Sequence, residues 1–78
     1  MVKVKFYGML AQYMKEKGDE GFWVIPESDL SIDDVLAMTD IASSPYIFVT
    51  LVNNARKSRD YVLRDGDTLS LVPLVAGG

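Results

Sequence analysis

Neither cysteine nor histidine occurs in this 78-residue chain. Without cysteine there is no disulfide and no thiolate metal site, so the core alone must hold the fold together. The same absence fits a reducing compartment, and the expected location is the cytoplasm. Without histidine the usual general base, the commonest metal ligand and the Ser-His and Cys-His catalytic pairs are all missing. Carboxylates remain, but no motif frames a pair of them at a reaction centre. Catalysis by the chain alone, a metal site and a bound cofactor are therefore not expected. No apolar run approaches the length of a membrane span. Lys3 and Lys5 interrupt the opening apolar pattern, so neither a signal peptide nor a membrane partner is expected. Positive charge is also in deficit: eight Lys and Arg stand against eleven Asp and Glu, for a net charge of −3. Nucleic acid is then an unexpected partner, and an acidic surface suits a protein with a basic docking face.

What the chain does have is an ordinary globular balance, 49% hydrophobic and 24% charged, in a length that allows one small domain. Val2, Val4 and Phe6 alternate with Lys3, Lys5 and Tyr7, which predicts a half-buried strand over residues 2–8, ended by Gly8. Leu10, Tyr13, Met14 and Lys17 recur at helical spacing and predict a short helix over 9–17. Lys15 and Lys17 would sit in its last turn, and Gly18 would supply the left-handed residue that closes it. Phe22 to Ile25 reads as a second strand, antiparallel to the first and stopped by Pro26. Ser28 or Ser31 could cap a helix over 32–38. The run Ser31-Ile32-Asp33-Asp34 resembles a capping box with Asp in place of Glu. Ile32, Val35 and Leu36 would form its buried face, extended by Met38 or Thr39.

Ser43-Ser44-Pro45 reads as a loop. Tyr46 to Val52 is the most apolar stretch and predicts a strand buried on both faces. Asn53-Asn54 favours a tight turn, and Arg56 to Arg59 a short charged edge strand. Tyr61 and Leu63 return toward the core. Asp65-Gly66-Asp67 marks a second turn with positive φ at Gly66, and Thr68 to Pro73 a last strand whose pairing weakens at Pro73. First and last strands can lie side by side and parallel at the sheet centre.

The chain then closes on Gly77-Gly78. A terminal carboxylate with no side chain beside it suits a chain whose own end enters another protein's active site. Glycine also allows backbone conformations that other residues avoid in a narrow channel. The plainer reading is a frayed end.

Three motifs carry a family resemblance: the opening Val2-Lys3-Val4-Lys5-Phe6-Tyr7-Gly8-Met9-Leu10, the Val52-Asn53 turn, and the run from Leu63-Arg64-Asp65-Gly66-Asp67 through Pro73 to Gly78. They resemble the MoaD/ThiS-type ubiquitin-like sulfur carriers, and most of all the small-subunit branch of molybdopterin synthase. The resemblance implies an α+β fold, a ubiquitin-like β-grasp with a mixed four- to five-stranded sheet and two short helices on one face. It implies a domain over residues 1–75 and a flexible Gly-Gly tail over 76–78. It further implies that an ATP-dependent activating enzyme adenylates Gly78 and that a sulfur donor protein converts it to a thiocarboxylate. The large synthase subunit would then pass the sulfur to a pterin precursor, and the metal itself, molybdenum or tungsten, would not bind this chain. Ala76 and Gly77 would thread the partner's channel, and Tyr7, Leu71, Val72, Leu74 and Val75 are the candidate docking residues, although Leu71 fits the core as well. The chain departs from its relatives at Leu71 and Val72, where many carry two aromatics, and at Leu74, often a second proline. It departs again near Arg56, where an apolar contact residue commonly falls. Rival readings are a carrier for thiazole synthesis or tRNA thiolation, a protein modifier joined through Gly78, and a plain interaction module.

Overall fold

The computed structural model describes residues 1–74. The residues assigned above to the tail, Val75, Ala76, Gly77 and Gly78, lie outside the described residues. The chain opens with β1 (Val2–Phe6) and a 3-10 helix over Gly8–Tyr13. After a single turn at Asp19–Gly21 come β2 (Trp23–Ile25), β3 (Leu30–Ser31) and α1 (Ile32–Ala37). A 3-10 turn at Ile41–Ser43 leads to β4 (Phe48–Val52), β5 (Ala55–Arg56), β6 (Val62–Leu63) and β7 (Thr68–Pro73). Five strands form one mixed sheet in the order β2-β1-β7-β4-β5. The first and last strands are its central pair and run parallel, Val4 beside Leu69 and Phe6 beside Leu71. All other pairings are antiparallel, and β3 and β6 form a separate two-stranded ladder.

Strand alternation sorts this sheet into two faces. Val2, Val4, Phe6, Trp23, Ile25, Leu69, Leu71 and Val52 are buried on one side. There they meet Ile32, Val35 and Leu36 of α1, Leu10 of the 3-10 helix, Ile41 and Leu63 in a single core. Trp23 lies edge-on to Phe6, ring centroids 6.5 Å apart. Among the described residues no helix covers β4 on the other side, and Val49 and Leu51 are only half-buried there. The sequence reading of this strand as buried on both faces is thereby corrected: its apolar run fills one layer and leaves the second open.

α1 starts where the capping box places it. The Ser31 hydroxyl accepts the Asp34 N–H at 3.0 Å, and the Asp34 carboxylate accepts the Ser31 N–H at 3.1 Å. Met38 is exposed and does not extend the buried face; half-buried Thr39 follows the helix, its hydroxyl donating to the Leu36 carbonyl at 3.1 Å and accepting the Ile41 N–H at 3.2 Å. The first predicted helix is shorter and tighter than expected. Its turns are i to i−3, as in Leu10 N–H to Tyr7 C=O at 3.1 Å, and the chain becomes extended at Met14. No side chain caps its start. An isolated helix this short is marginal, and three residues per turn suffice to put Leu10 and Tyr13 on the core side. Lys15 and Lys17 therefore follow the helix rather than end it. Gly18 does not take up positive φ; that falls to Glu20 and Gly21. Gly18 is needed for closeness instead, because a Cβ there would lie 2.9 Å from the Phe22 carbonyl oxygen, which accepts its N–H.

The two polar turns lock one end of the sheet. Asn53 (φ 51°) donates through its side-chain amide to Asp67 at 2.9 Å and accepts the Thr68 N–H at 3.1 Å. Asp67 also accepts the Arg64 N–H at 2.9 Å, and Gly66, at φ 91°, donates to the Met1 carbonyl at 2.7 Å. Removing the Asn53 amide leaves Asp67 and the Thr68 N–H without that partner. Because both bonds are exposed and water can replace them, Asn53→Ala should lower stability by about 0.5–1.5 kcal/mol in urea unfolding, with m unchanged. A loss below the error of that measurement would show that the turn forms without this side chain.

Candidate functional site

β7 runs from the locked turns to the opposite end of the sheet, and the last described residues continue its ladder. Leu74 N–H donates to the Ile47 carbonyl at 2.8 Å. The described chain thus ends at the middle of the sheet, between the ends of β1 and β4. Three of the residues bordering that end are exposed and apolar: Ile47 at 70% exposure, Leu74 at 56% and Tyr7 at 42%. Register places them with half-buried Val72 and Val49 on the open face, since Val49 pairs with Val72 and the alternation carries on to Ile47 and Leu74. Met9, also exposed, follows at the turn. Gly8 holds φ +57° there, a left-handed conformation that favours glycine, while a Cβ would meet the Pro73 ring only in ordinary contact at 3.5 Å. Away from this end the open face becomes polar and basic. Lys5, Ser70, Leu51 and Arg56 lie across it in register, and the Lys5 ammonium sits 5.1 Å from the Tyr7 ring and 5.3 Å from that of Phe22.

Of the predicted docking residues, Tyr7, Val72 and Leu74 come together on this patch. Leu71 does not. Its side chain is fully buried on the opposite face, between Phe6 and Thr50 in register and in one core cluster with the buried residues of α1, so it is a core residue and is corrected here. Val75 and the tail residues Ala76, Gly77 and Gly78 lie outside the described residues. Ile47 and Met9 were missed by the sequence reading, which absorbed them into a buried strand and a helix. The signal for Ile47 was available: it stands opposite Leu74 if Phe48–Val52 pairs with the last strand. The expectation of a basic partner face also changes, because Lys3, Lys5 and Arg56 put positive charge on the open side of the sheet. Among the described residues no helix is long and apolar enough to cross a membrane.

A five-stranded mixed sheet with its first and last strands parallel at the centre, crossed on one face by a helix, is a ubiquitin-like β-grasp. The model of the ThiS family matches residues 8–78, and the chain belongs to that family. Membership supports a sulfur-carrier role. No curated protein matches the sequence. Two solved structures share the fold. One is a complex of subunits 1 and 2 of the molybdopterin-converting factor from Helicobacter pylori 26695, with 21% identity over 99% of this chain and 97% of that one, and a TM-score of 0.60. The other is the solution structure of the Haloferax volcanii HVO 2177 protein, with 24% identity over 99% and 85% of the two chains and a TM-score of 0.65.

The division between core and patch is measurable by stability. Leu71→Ala removes a fully buried side chain and should cost about 2–5 kcal/mol. Ile47→Ser should stay within about 0.5 kcal/mol of the parent. Equal losses in urea unfolding would contradict the assignment of these two residues to opposite sides of the sheet.

Proposed function

We propose that the chain is a sulfur carrier that acts through its C-terminal Gly78 as the small, non-catalytic subunit of a molybdopterin synthase. The observation that carries the reading is the family match, which runs from the first turn to Gly78 itself. The end of the described chain at the sheet centre, amid exposed Tyr7, Ile47 and Leu74, supports it: a partner that grips this patch would receive the tail from a defined direction. The likeness to a subunit of the Helicobacter pylori molybdopterin-converting factor favours a pterin pathway over the rival acceptors.

The chemistry needs nothing from the folded domain but delivery. An activating enzyme would bring the Gly78 carboxylate onto the α-phosphorus of ATP, releasing pyrophosphate and leaving an acyl-AMP. A persulfide on a sulfur donor protein would attack the carbonyl carbon and expel AMP. A second thiol would then cleave the sulfur–sulfur bond, ending as a disulfide and leaving a thiocarboxylate on Gly78. The large synthase subunit would draw on that sulfur for its pterin substrate. The chain's lack of cysteine is no obstacle, because the sulfur is carried at the terminus. A side chain on the last residue would crowd both the acyl phosphate and the channel around it.

Intact mass after incubation with an activating enzyme, ATP and a sulfur donor should rise by the exchange of one oxygen for sulfur. The large subunit with its pterin precursor should then reverse the gain. Deleting Gly78 should abolish loading and leave the thermal unfolding curve unchanged, and normal loading of the deletion protein would sink the reading. An isopeptide adduct on lysines in place of the thiocarboxylate would assign the chain to protein modification.

A further inference from the structure

Beyond the apolar end of the open face, the sheet edge carries a feature that the carrier chemistry does not use. β5 covers only Leu51 and Val52 of β4. The stretch from Phe48 to Thr50 is left beside an open notch of about 390 Å³, rimmed by Arg56, Lys57, Ser58 and Arg59. Three of the chain's eight Lys and Arg thus fall within four residues, in a chain of net charge −3. The only ion pair among the described residues joins the Met1 α-ammonium to Asp65, at the far end of the sheet; the carboxylate next to the notch, that of Asp60, accepts the Ser58 hydroxyl and forms no ion pair with these cations.

The segment is also held in place. Lys57 N–H donates to the Thr50 carbonyl at 3.1 Å, and the buried Thr50 hydroxyl donates back to the Lys57 carbonyl at 2.6 Å. Asp33 N–H of α1 donates to the Arg59 carbonyl at 2.9 Å, and Tyr61 N–H to that of Ser58 at 3.0 Å. The Arg59 guanidinium lies 5.3 Å from the centre of the Phe48 ring, and the Lys57 ammonium 5.1 Å from that of Tyr61. Contact with a ring face leaves the N–H donors of arginine available to carboxylates. Positive groups fixed before binding cost little to order on binding. The notch adjoins the end of the described chain, because Phe48 pairs with Pro73, one residue before the last described residue, Leu74.

We propose that this notch is a docking site for an extended acidic segment of the protein that receives the tail, a proposal that rests on the carrier reading. Alternating carboxylates would meet Arg56 on the open side and Lys57 and Arg59 at the edge, while an apolar residue between them covers Phe48. Attraction of this kind acts mainly on encounter and orientation, and it weakens with salt.

Two measurements on the full chain test it. Isotope-labelled protein is titrated with a short synthetic peptide alternating glutamate and valine, with its lysine counterpart, and with inorganic phosphate. Only the acidic peptide should saturably shift the amides of Phe48, Thr50 and residues 56–59. The triple variant Arg56→Glu, Lys57→Glu, Arg59→Glu should bind it at least about tenfold more weakly, with Arg56→Gln, Arg59→Gln used if the reversal does not fold. In the loading assay the triple variant should raise the half-saturating carrier concentration by at least about tenfold, with the rate at saturation within about twofold. Equal shifts from phosphate or from the lysine peptide, or an unchanged half-saturation, overturn the proposal. If the parent chain is never loaded, the carrier reading falls, and the peptide titration still decides whether the notch selects acidic segments.

Discussion

Parallel pairing of the first strand with the last is the constraint on which the rest of this molecule depends. It aligns Val4 with Leu69 and Phe6 with Leu71, and these four side chains are the floor onto which α1 and Leu10 pack. A parallel pair cannot be closed by a hairpin; here nearly the whole chain is the connection. The entropy of that closure is recovered only when the core forms, so no part of the sheet is independently stable. The same pairing has a directional consequence. Because β7 runs alongside β1, it brings Pro73 and Leu74, the last described residues, beside Tyr7 and Gly8 at the middle of the sheet.

One face of the sheet is committed to the core, and among the described residues this leaves the other as an extended open surface. Under the proposed carrier reading, that asymmetry would let a chain without histidine or cysteine take part in chemistry. Reaction at a terminus needs no cleft, no shifted titrating group and no metal from the domain. It needs a rigid shape that another protein can grip. Half-buried Val49 and Val72, beside exposed Ile47 and Leu74, provide apolar area, and Lys5 braced between Tyr7 and Phe22 sets a charged boundary to it.

Much of this was legible in the sequence where a single residue type has a single physical use. The Ser31–Asp34 box fixed the start of α1, two asparagines and Gly66 fixed the turns with positive φ, and strict alternation set the bounds of β7 at Thr68–Pro73. Where several outcomes share one pattern, the reading failed. Leu10, Tyr13 and Met14 satisfy both a 3-10 and an α spacing, and only the short return from β1 selects the tighter form. The apolar run 46–52 could not reveal that one layer of the sheet stays open, because burial depends on which other elements exist to cover it. Leu71 was read both as a core and as a docking residue; alternation with Leu69 already put it on the core face, and its pairing with Phe6 and Thr50 decides for the core. The β3–β6 ladder, two residues on each side, was too short to leave any periodicity.

The basic notch and the apolar patch do different work, and neither replaces the other. The two terminal glycines carry no side chain for a partner to grip, so the surface of the folded domain must set how a partner is met. An apolar patch around the exit limits the approach, yet hydrophobic contact is non-directional and tolerates rotation about the tail. Charges at the sheet edge remove that freedom, because Arg59 over Phe48 and Lys57 pinned to Thr50 lie to one side of the exit and not around it. A partner that meets both must arrive in a single rotational setting. For a carrier that releases its cargo by leaving, this is a suitable division: screened, partly exposed charge sets geometry on arrival without adding the slow dissociation that a larger apolar interface would bring.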